Sequence, residues 1–276
     1  MRRSLAIRTE HHCRGRRQGT PRRVPRPCIL GVEFDFTDYA GAVAAIRLWR
    51  DAGQREYMTI TNPHSVLLCR RDEQMRQATA VAGMTLPDGV GVIWAARILG
   101  YRHQGRVTGP TLVLKLCDWG RQDGLRHFFF GGKEGVPEKL VERLSEMFPG
   151  LTIAGTSCPP FRPLTADEDD GIVRQINATR PDIVWVGLGA PKQEKWMAAH
   201  LGRIEATAMI GVGAAFDFHA GTARWAPAWV RRAGLEWAYR LACDPRRMWR
   251  RNLDSPLFLM QVLAQRMGFG GRRRKA

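Results

Sequence analysis

Residues 182–196, DIVWVGLGAPKQEKW, decide the fold. An unbroken apolar run from Ile183 to Val186 stops at Gly187, and an amphipathic stretch starts just beyond Gly189 and Pro191. A run this short, bounded by turn residues, reads as a strand buried on both faces, and Pro191 suits the first turn of a helix. The unit is therefore strand, glycine turn, helix. It recurs in both directions. Upstream lie LTIAG (151–155) before a helix near 166–179, RHFFFGG (126–132) before one near 136–148, and MTLP (84–87) before helices near 90–100 and 110–122. Further back, YMTIT (57–61) precedes a helix near 64–78 and ILGVEFDF (29–36) one near 39–52; downstream comes ATAMIGVG (206–213). This alternation predicts an α/β fold of Rossmann-like type, a mainly parallel sheet with helices on both faces. In such a sheet the ligand sits beyond the carboxyl ends of the strands, so the chemistry is sought in TNPHS, PDGVG, GGKEG, GAPKQE and GAAFDFHAG.

The charge lies at the two ends of the 276-residue chain. Residues 1–27 hold nine arginines against Glu10, a net +8, and residues 225–276 carry a net +9, which together account for the whole +17. Residues 28–224 balance 22 basic against 22 acidic side chains. We expect a disordered arginine-rich lead (1–27), one α/β domain (28–224) and a helical, basic and aromatic C-terminal appendage (225–276). Basic ends on a neutral body point to phosphate-rich partners, either nucleic acid or an anionic leaflet. The six cysteines show no C-x-x-C spacing, which disfavours a metal finger, and the N-terminus lacks the apolar stretch of a signal peptide. No apolar run approaches the ~20 residues of a membrane span. The expectation is a cytoplasmic protein in which any contact with a membrane is peripheral.

Each post-strand segment has a plain structural reading beside a chemical one. Gly131, Gly132 and Gly135 either cradle a diphosphate at a helix mouth or simply make a tight turn. Gly187 and Gly189 repeat that arrangement, and Lys192 and Gln193 add a cation and an amide that a helix start alone does not require. Asp88 in PDG is either a general base at the sheet's ligand edge or part of an Asp-Gly turn. Thr61, Asn62, His64 and Ser65 suit a hydroxyl-rich ligand or a helix cap, and Arg106 suits a phosphate or a surface acid. Thr165 with Glu168 makes TADEDD a capping box and helix start rather than a metal cluster. Asp217 is placed to hold ribose hydroxyls, while a lone His219 reads as structural. In the tail, Arg240, Arg247 and Arg250 can share a helical face despite Pro245, among Trp237, Tyr239 and Trp249.

Taken in order, TNPHSV, LPDGVGVIWAARILG, RVTGPTL, FFFGGKEGV, PDIVWVGLGAPKQEKW, GVGAAFDFHAG and GLEWAYRLACDPRRMWRR resemble the WecG/TagA/CpsF glycosyltransferase family over roughly residues 29–255. The resemblance implies an inverting transferase that uses no metal or other cofactor. It implies transfer of an N-acetylmannosamine-like or other hexose from a UDP-sugar to an undecaprenyl-diphosphate-linked sugar, for a cell-surface polysaccharide, exopolysaccharide or teichoic-acid-type polymer. By the same resemblance Asp88 is the base, Asn62, Arg106, Gln193 and Asp217 bind substrate, and Arg240, Arg247 and Arg250 reach the diphosphate and close the site. The chain departs from the family pattern at Ile60, where many members carry threonine. Residues 1–27 have no counterpart in it.

The expected partners are thus the UDP-sugar, the lipid-diphosphate acceptor and an anionic membrane surface, without nucleic acid; self-association is left open. Two other classes fit less well. A nucleic-acid-binding protein using the basic ends leaves the neutral body and its ordered polar blocks without a purpose. An NAD(P)-dependent oxidoreductase requires G-x-G-x-x-G and an acid about 20 residues later, which this sequence lacks.

Overall fold

The computed structural model describes residues 26–102 and 105–268, and the side chains of these apart from 247–253. Most of the lead (residues 1–25) and the side chains of Arg247 and Arg250 therefore lie outside the described residues. The elements run β1 (Cys28–Ile29), β2 (Val32–Glu33), α1 (Tyr39–Asp51), β3 (Glu56–Thr61), α2 (Pro63–Arg71), α3 (Glu73–Ala80), β4 (Met84–Pro87), α4 (Val90–Ile98), α5 (Gly109–Trp119), β5 (Arg126–Gly131) and α6 (Val136–Met147). They continue with β6 (Thr152–Ser157), α7 (Ala166–Ala178), β7 (Ile183–Gly187), α8 (Lys192–His200), β8 (Ala208–Gly211), α9 (Ala215–His219), α10 (Ala228–Arg232), α11 (Glu236–Cys243) and α12 (Pro245–Arg266). Six strands form one sheet in the order β4-β3-β8-β7-β5-β6, and every pairing in it is parallel.

The period of two in the strands fills both faces. On β7, Ile183 and Trp185 enter one core with Met58, Ile60, Phe129 and Ile210, beneath the apolar sides of α1, α5 and α6. Val184 and Val186 enter the other, with Tyr57, Phe128, Phe130 and Met209, beneath α7 and α8. Strands apolar on both sides need helices on both sides, which the alternating chain supplies. The Trp185 indole donates to His127 Nδ1 at 3.0 Å, and burial pushes that imidazole down to about 4, so it accepts as the neutral ring.

Two expectations are corrected. Residues 29–36 do not form a strand of the sheet: Leu30 (φ 51) and Gly31 (φ 88) turn the chain back, and β1 and β2 pair antiparallel as a separate hairpin. The helix expected near 64–78 is two helices, because Asp72 leaves helical geometry and its carboxylate caps α3 by accepting from Met75 N at 3.0 Å. The capping box at Thr165 and Glu168 is present as the sequence indicates.

A third core joins the hairpin to the end of the chain. Phe258 and Val262 of α12 are wholly buried among Ile29, Phe34, Val66, Met75, Val92 and Ala95. Gln265 completes the joint: its Oε1 accepts from Leu30 N at 2.8 Å and its Nε2 donates to Cys28 O at 3.0 Å. The C-terminal segment thus packs on the body through its apolar side. Its position is set by α2, α4 and the hairpin.

Close packing at the sheet's carboxyl edge depends on Gly187, where an added Cβ would stand 2.7 Å from the buried Phe216 ring. Gly187→Ala should destabilise the protein by about 1–3 kcal/mol through overpacking, measured as a lower urea midpoint with unchanged slope. An unchanged midpoint would show that the ring yields freely.

Candidate active site

Asp88 stands where a strand becomes a helix. Its N–H donates to Thr61 O at 3.0 Å, one step past the last paired residues of β3 and β4, and Gly89 (φ 81) then turns the chain into α4. Residues 105–108 run beside it, with Val107 N donating to Pro87 O at 3.0 Å. Asp88 thereby opens into a cavity of about 460 Å³ floored by Asn62, His64, Gly89 and Thr108 and roofed by Glu236, Trp237 and Arg240 of α11 and Pro256 and Leu259 of α12. Arg106 lines it as well. The ligand edge of the sheet is here closed by the end of the chain.

The charges in this cavity act on one another. Removal from water drives the Asp88 carboxyl up to about 6; the nearby Glu236 charge adds to this, and Arg240, Arg106 and the Gly89 amide oppose it. Arg240 Nη2 donates to Glu236 Oε1 at 2.8 Å, while the guanidinium carbon lies 4.8 Å from the Phe218 ring centre. Phe218 stacks on Trp225, which in turn carries Arg231 at 3.7 Å from its ring. Arg106 Nη2 donates to Arg231 O at 3.1 Å, so both cavity arginines are held by the same short stretch after β8. His64 Nδ1 lies 2.6 Å from Asp254 Oδ2, and Arg71 reaches the other oxygen at 3.4 Å, which ties α2 to α12 across the cavity.

Of the residues singled out from the sequence, Asp88, Asn62, Arg106 and Arg240 meet in this cavity. Asn62 also caps α2, its Oδ1 accepting from Ser65 N at 3.0 Å, so the capping reading and a lining position coexist. Thr61 does not line it: its side chain is buried under β3 and bonds Thr59 Oγ1 at 3.4 Å, because alternation turns it to the other face. Gly131, Gly132, Gln193 and Lys192 lie farther along the same edge. Gly132 N donates to Gly187 O at 3.2 Å, and Gly131 and Gly132 both hold positive φ, as a tight turn requires. Gln193 is buried and bonded within the protein, accepting from Gly189 N at 3.1 Å and donating to Glu194 at 3.0 Å. Lys192 is exposed, its Nζ 5.2 Å from the Phe161 ring. Asp217 accepts from Thr222 Oγ1 at 3.4 Å and steadies the turn after α9. His219 is structural, with Nε2 2.8 Å from Pro110 O.

The glycine ends of β5 and β7 nevertheless occupy a special place. β5 connects to β6 on one side through α6, and β7 connects to β8 on the other through α8, so the helices diverge above these neighbouring strands. That divergence opens a crevice of the kind in which α/β sheets hold phosphates and nucleotides. The loop after β8 bridges it to the Asp88 cavity: Val212 abuts Gly109, and Gly213 abuts Gln193. The sequence reading missed Glu236, Asp254 and Trp94, and named Trp237 only as an aromatic of the tail. Glu236 was accessible from its i, i+4 spacing to Arg240, whereas Asp254 meets His64 from 190 positions away.

The acidic run is committed elsewhere. Asp169 pairs with Arg203 at 2.7 Å and His200 at 3.0 Å, and Asp170 with Arg203 at 2.7 Å. Among the described residues no group of three His, Cys, Asp or Glu side chains is arranged to hold a metal ion, and no helix is long and apolar enough to cross a membrane.

A parallel α/β sheet thus carries, at its carboxyl edge, a buried carboxylate beside two guanidiniums and, next to them, a glycine-walled crevice. The family model of the WecG/TagA/CpsF glycosyl transferases matches residues 27–272, and the chain belongs to that family; it is a glycosyltransferase. It is 31% identical over 208 residues to an N-acetylglucosaminyldiphosphoundecaprenol N-acetyl-beta-D-mannosaminyltransferase of Bacillus subtilis (strain 168), covering 75% of this chain and 79% of the relative. The Bacillus spizizenii protein of the same name is 31% identical over 232 residues (84% and 87%), and that of Staphylococcus aureus (strain NCTC 8325) 27% over 236 residues (85% and 91%).

A carboxyl whose folded pKa is raised favours the fold at low pH, and that contribution is lost as pH climbs from the unfolded value near 4 through about 6. Ionised Asp88 should therefore cost the fold on the order of 1–3 kcal/mol above pH 7. Asp88→Asn is expected to melt higher than the wild type at pH 8, with the advantage shrinking toward pH 4. A lower melting temperature at pH 8 would contradict this electrostatic description.

Proposed function

We propose that the protein transfers an N-acetylmannosamine-type sugar from its UDP donor to the N-acetylglucosamine of an undecaprenyl-diphosphate carrier, inverting the anomeric centre without a metal. The observation that carries the reading is Asp88 in one cavity with Arg106 and Arg240, in a chain that covers most of the length of relatives named for that acceptor. Asp88 takes the proton of the acceptor hydroxyl, the freed oxygen attacks the anomeric carbon, and the bond to UDP breaks with its electron pair leaving on the diphosphate. Arg106, Arg240 and the helix-mouth amides of the glycine crevice meet that growing charge, as a metal ion does in other transferases. A base near 6 suits this work, being ionised at neutral pH yet more basic than an ordinary aspartate.

The acceptor is lipid-borne in this reading, so the enzyme works against the inner face of the membrane. Support comes from the roof of the cavity. Trp237 is 50% exposed at its rim, and Trp229, Met260 and Met267 stand out from the same C-terminal region, among its arginines. Apolar and aromatic side chains mixed with cations suit a headgroup layer, each engaged cation adding about 1 kcal/mol.

Incubating purified protein with UDP-N-acetylmannosamine and a short-chain N-acetylglucosaminyl-diphospho-lipid, then weighing the product by mass spectrometry, tests the reading. One N-acetylhexosamine should be added, at the same rate in excess chelator, and Asp88→Asn should lower turnover by at least ~10²-fold while still binding donor. Activity that requires Mg²⁺ or Mn²⁺ would overturn the metal-free mechanism, and near-normal turnover of Asp88→Asn would remove Asp88 as base.

A further inference from the structure

Glu236 puts a second carboxylate into the cavity to which the proposed mechanism brings a diphosphate. On its own it repels that ligand, so its presence calls for a reason. It lies one helical turn before Arg240 and takes its hydrogen bond at 2.8 Å, with side-chain exposures of 17% for Glu236 and 35% for Arg240. Arg240 Nε is buried without an acceptor among the described residues, and the Phe218 ring covers the guanidinium from another side. Two contacts therefore fix a long, flexible cation that would otherwise sample many rotamers. The charged and titratable groups around Asp88 are Glu236 and Arg240 from α11, Arg106 from the segment before α5, and His64 from α2 with its partner Asp254 on α12 and Arg71 behind it.

Taking Asp88 as the base, we propose that Glu236 is a positioning residue with two tasks: it holds Arg240 ready for the diphosphate, and its charge keeps Asp88 strong enough as a base. The tasks are linked. In the free enzyme, Arg240 neutralises much of Glu236. When a diphosphate arrives and draws off part of the guanidinium's hydrogen bonding, the Glu236 charge is less compensated and acts more fully on Asp88. Binding of the anionic substrate thus raises the basicity of the residue that must take the proton.

Two substitutions separate charge from reach. Glu236→Gln removes the charge, so the acid limb of kcat/KM against pH should move to lower pH by a few tenths of a unit or more, and the plateau should fall several-fold. Glu236→Asp keeps a charge but withdraws it from Arg240, so the limb should not move to lower pH, while KM for the UDP-sugar should rise. A histidine titrates in the same range. The limb is therefore assigned by carbon-13 NMR of the Asp88 carboxyl, recognised by its loss in Asp88→Asn, and the titration should shift downward in Glu236→Gln. This measurement needs only folded protein and decides the matter if turnover is too low to follow. An Asp88 titration and acid limb unmoved in Glu236→Gln, or moved equally in Glu236→Asp, would overturn the proposal. Near-normal turnover of Asp88→Asn is a different result, which removes the base itself.

Discussion

An ionised carboxylate kept from water beside two arginines is the interaction on which this molecule turns. Left alone, the desolvated Asp88 would hold its proton and could not accept another. Arg106 and Arg240 keep it ionisable near neutrality, and they come from parts of the chain more than a hundred residues apart. The carboxyl end of the chain must therefore fold back over the sheet. Phe258, Val262 and Gln265 supply that return by docking α12 on the hairpin and α4, and the hairpin itself stands outside the sheet to receive them.

The sheet imposes the remaining geometry. With all six strands parallel, every connection crosses a face, and the carboxyl edge collects the loops. Two regions result: the crevice above β5 and β7, where connections diverge, and the Asp88 cavity above β3 and β4. The loop after β8 lies between them, and the stretch that follows it holds both cavity arginines through Phe218, Trp225 and Arg231. A donor in the crevice and an acceptor in the cavity would meet above β8, which is the arrangement a direct transfer needs.

Much of this was legible in the residues. Short unbroken apolar runs bounded by turn residues, such as IVWV, read as strands buried on both faces, and glycine after nearly every run marked the working edge. The separate hairpin was harder to read, because ILGVEFDF has a strand's composition and only the turn at Leu30 and Gly31 withdraws it from the sheet. Asp88, Asn62, Arg106 and Arg240, picked out as members of local motifs, share one cavity, whereas the side chain of Thr61 turns toward Thr59 through the alternation that governs any strand. Gln193 was singled out for its amide, and that amide is engaged with Gly189 and Glu194. Partners brought together by the final helix, such as His64 with Asp254, left no local signal, since nothing in either neighbourhood encodes the other. Glu236 did leave one, in its spacing to Arg240.

The central claim is a single displacement in which Asp88 frees the acceptor hydroxyl for attack opposite the departing diphosphate. The anomeric configuration of the product tests it most directly, read from the one-bond carbon-hydrogen coupling at the new linkage after reaction with α-linked UDP-N-acetylmannosamine. The account predicts a β linkage; an α-linked product would mean two displacements or front-face attack, and would contradict it.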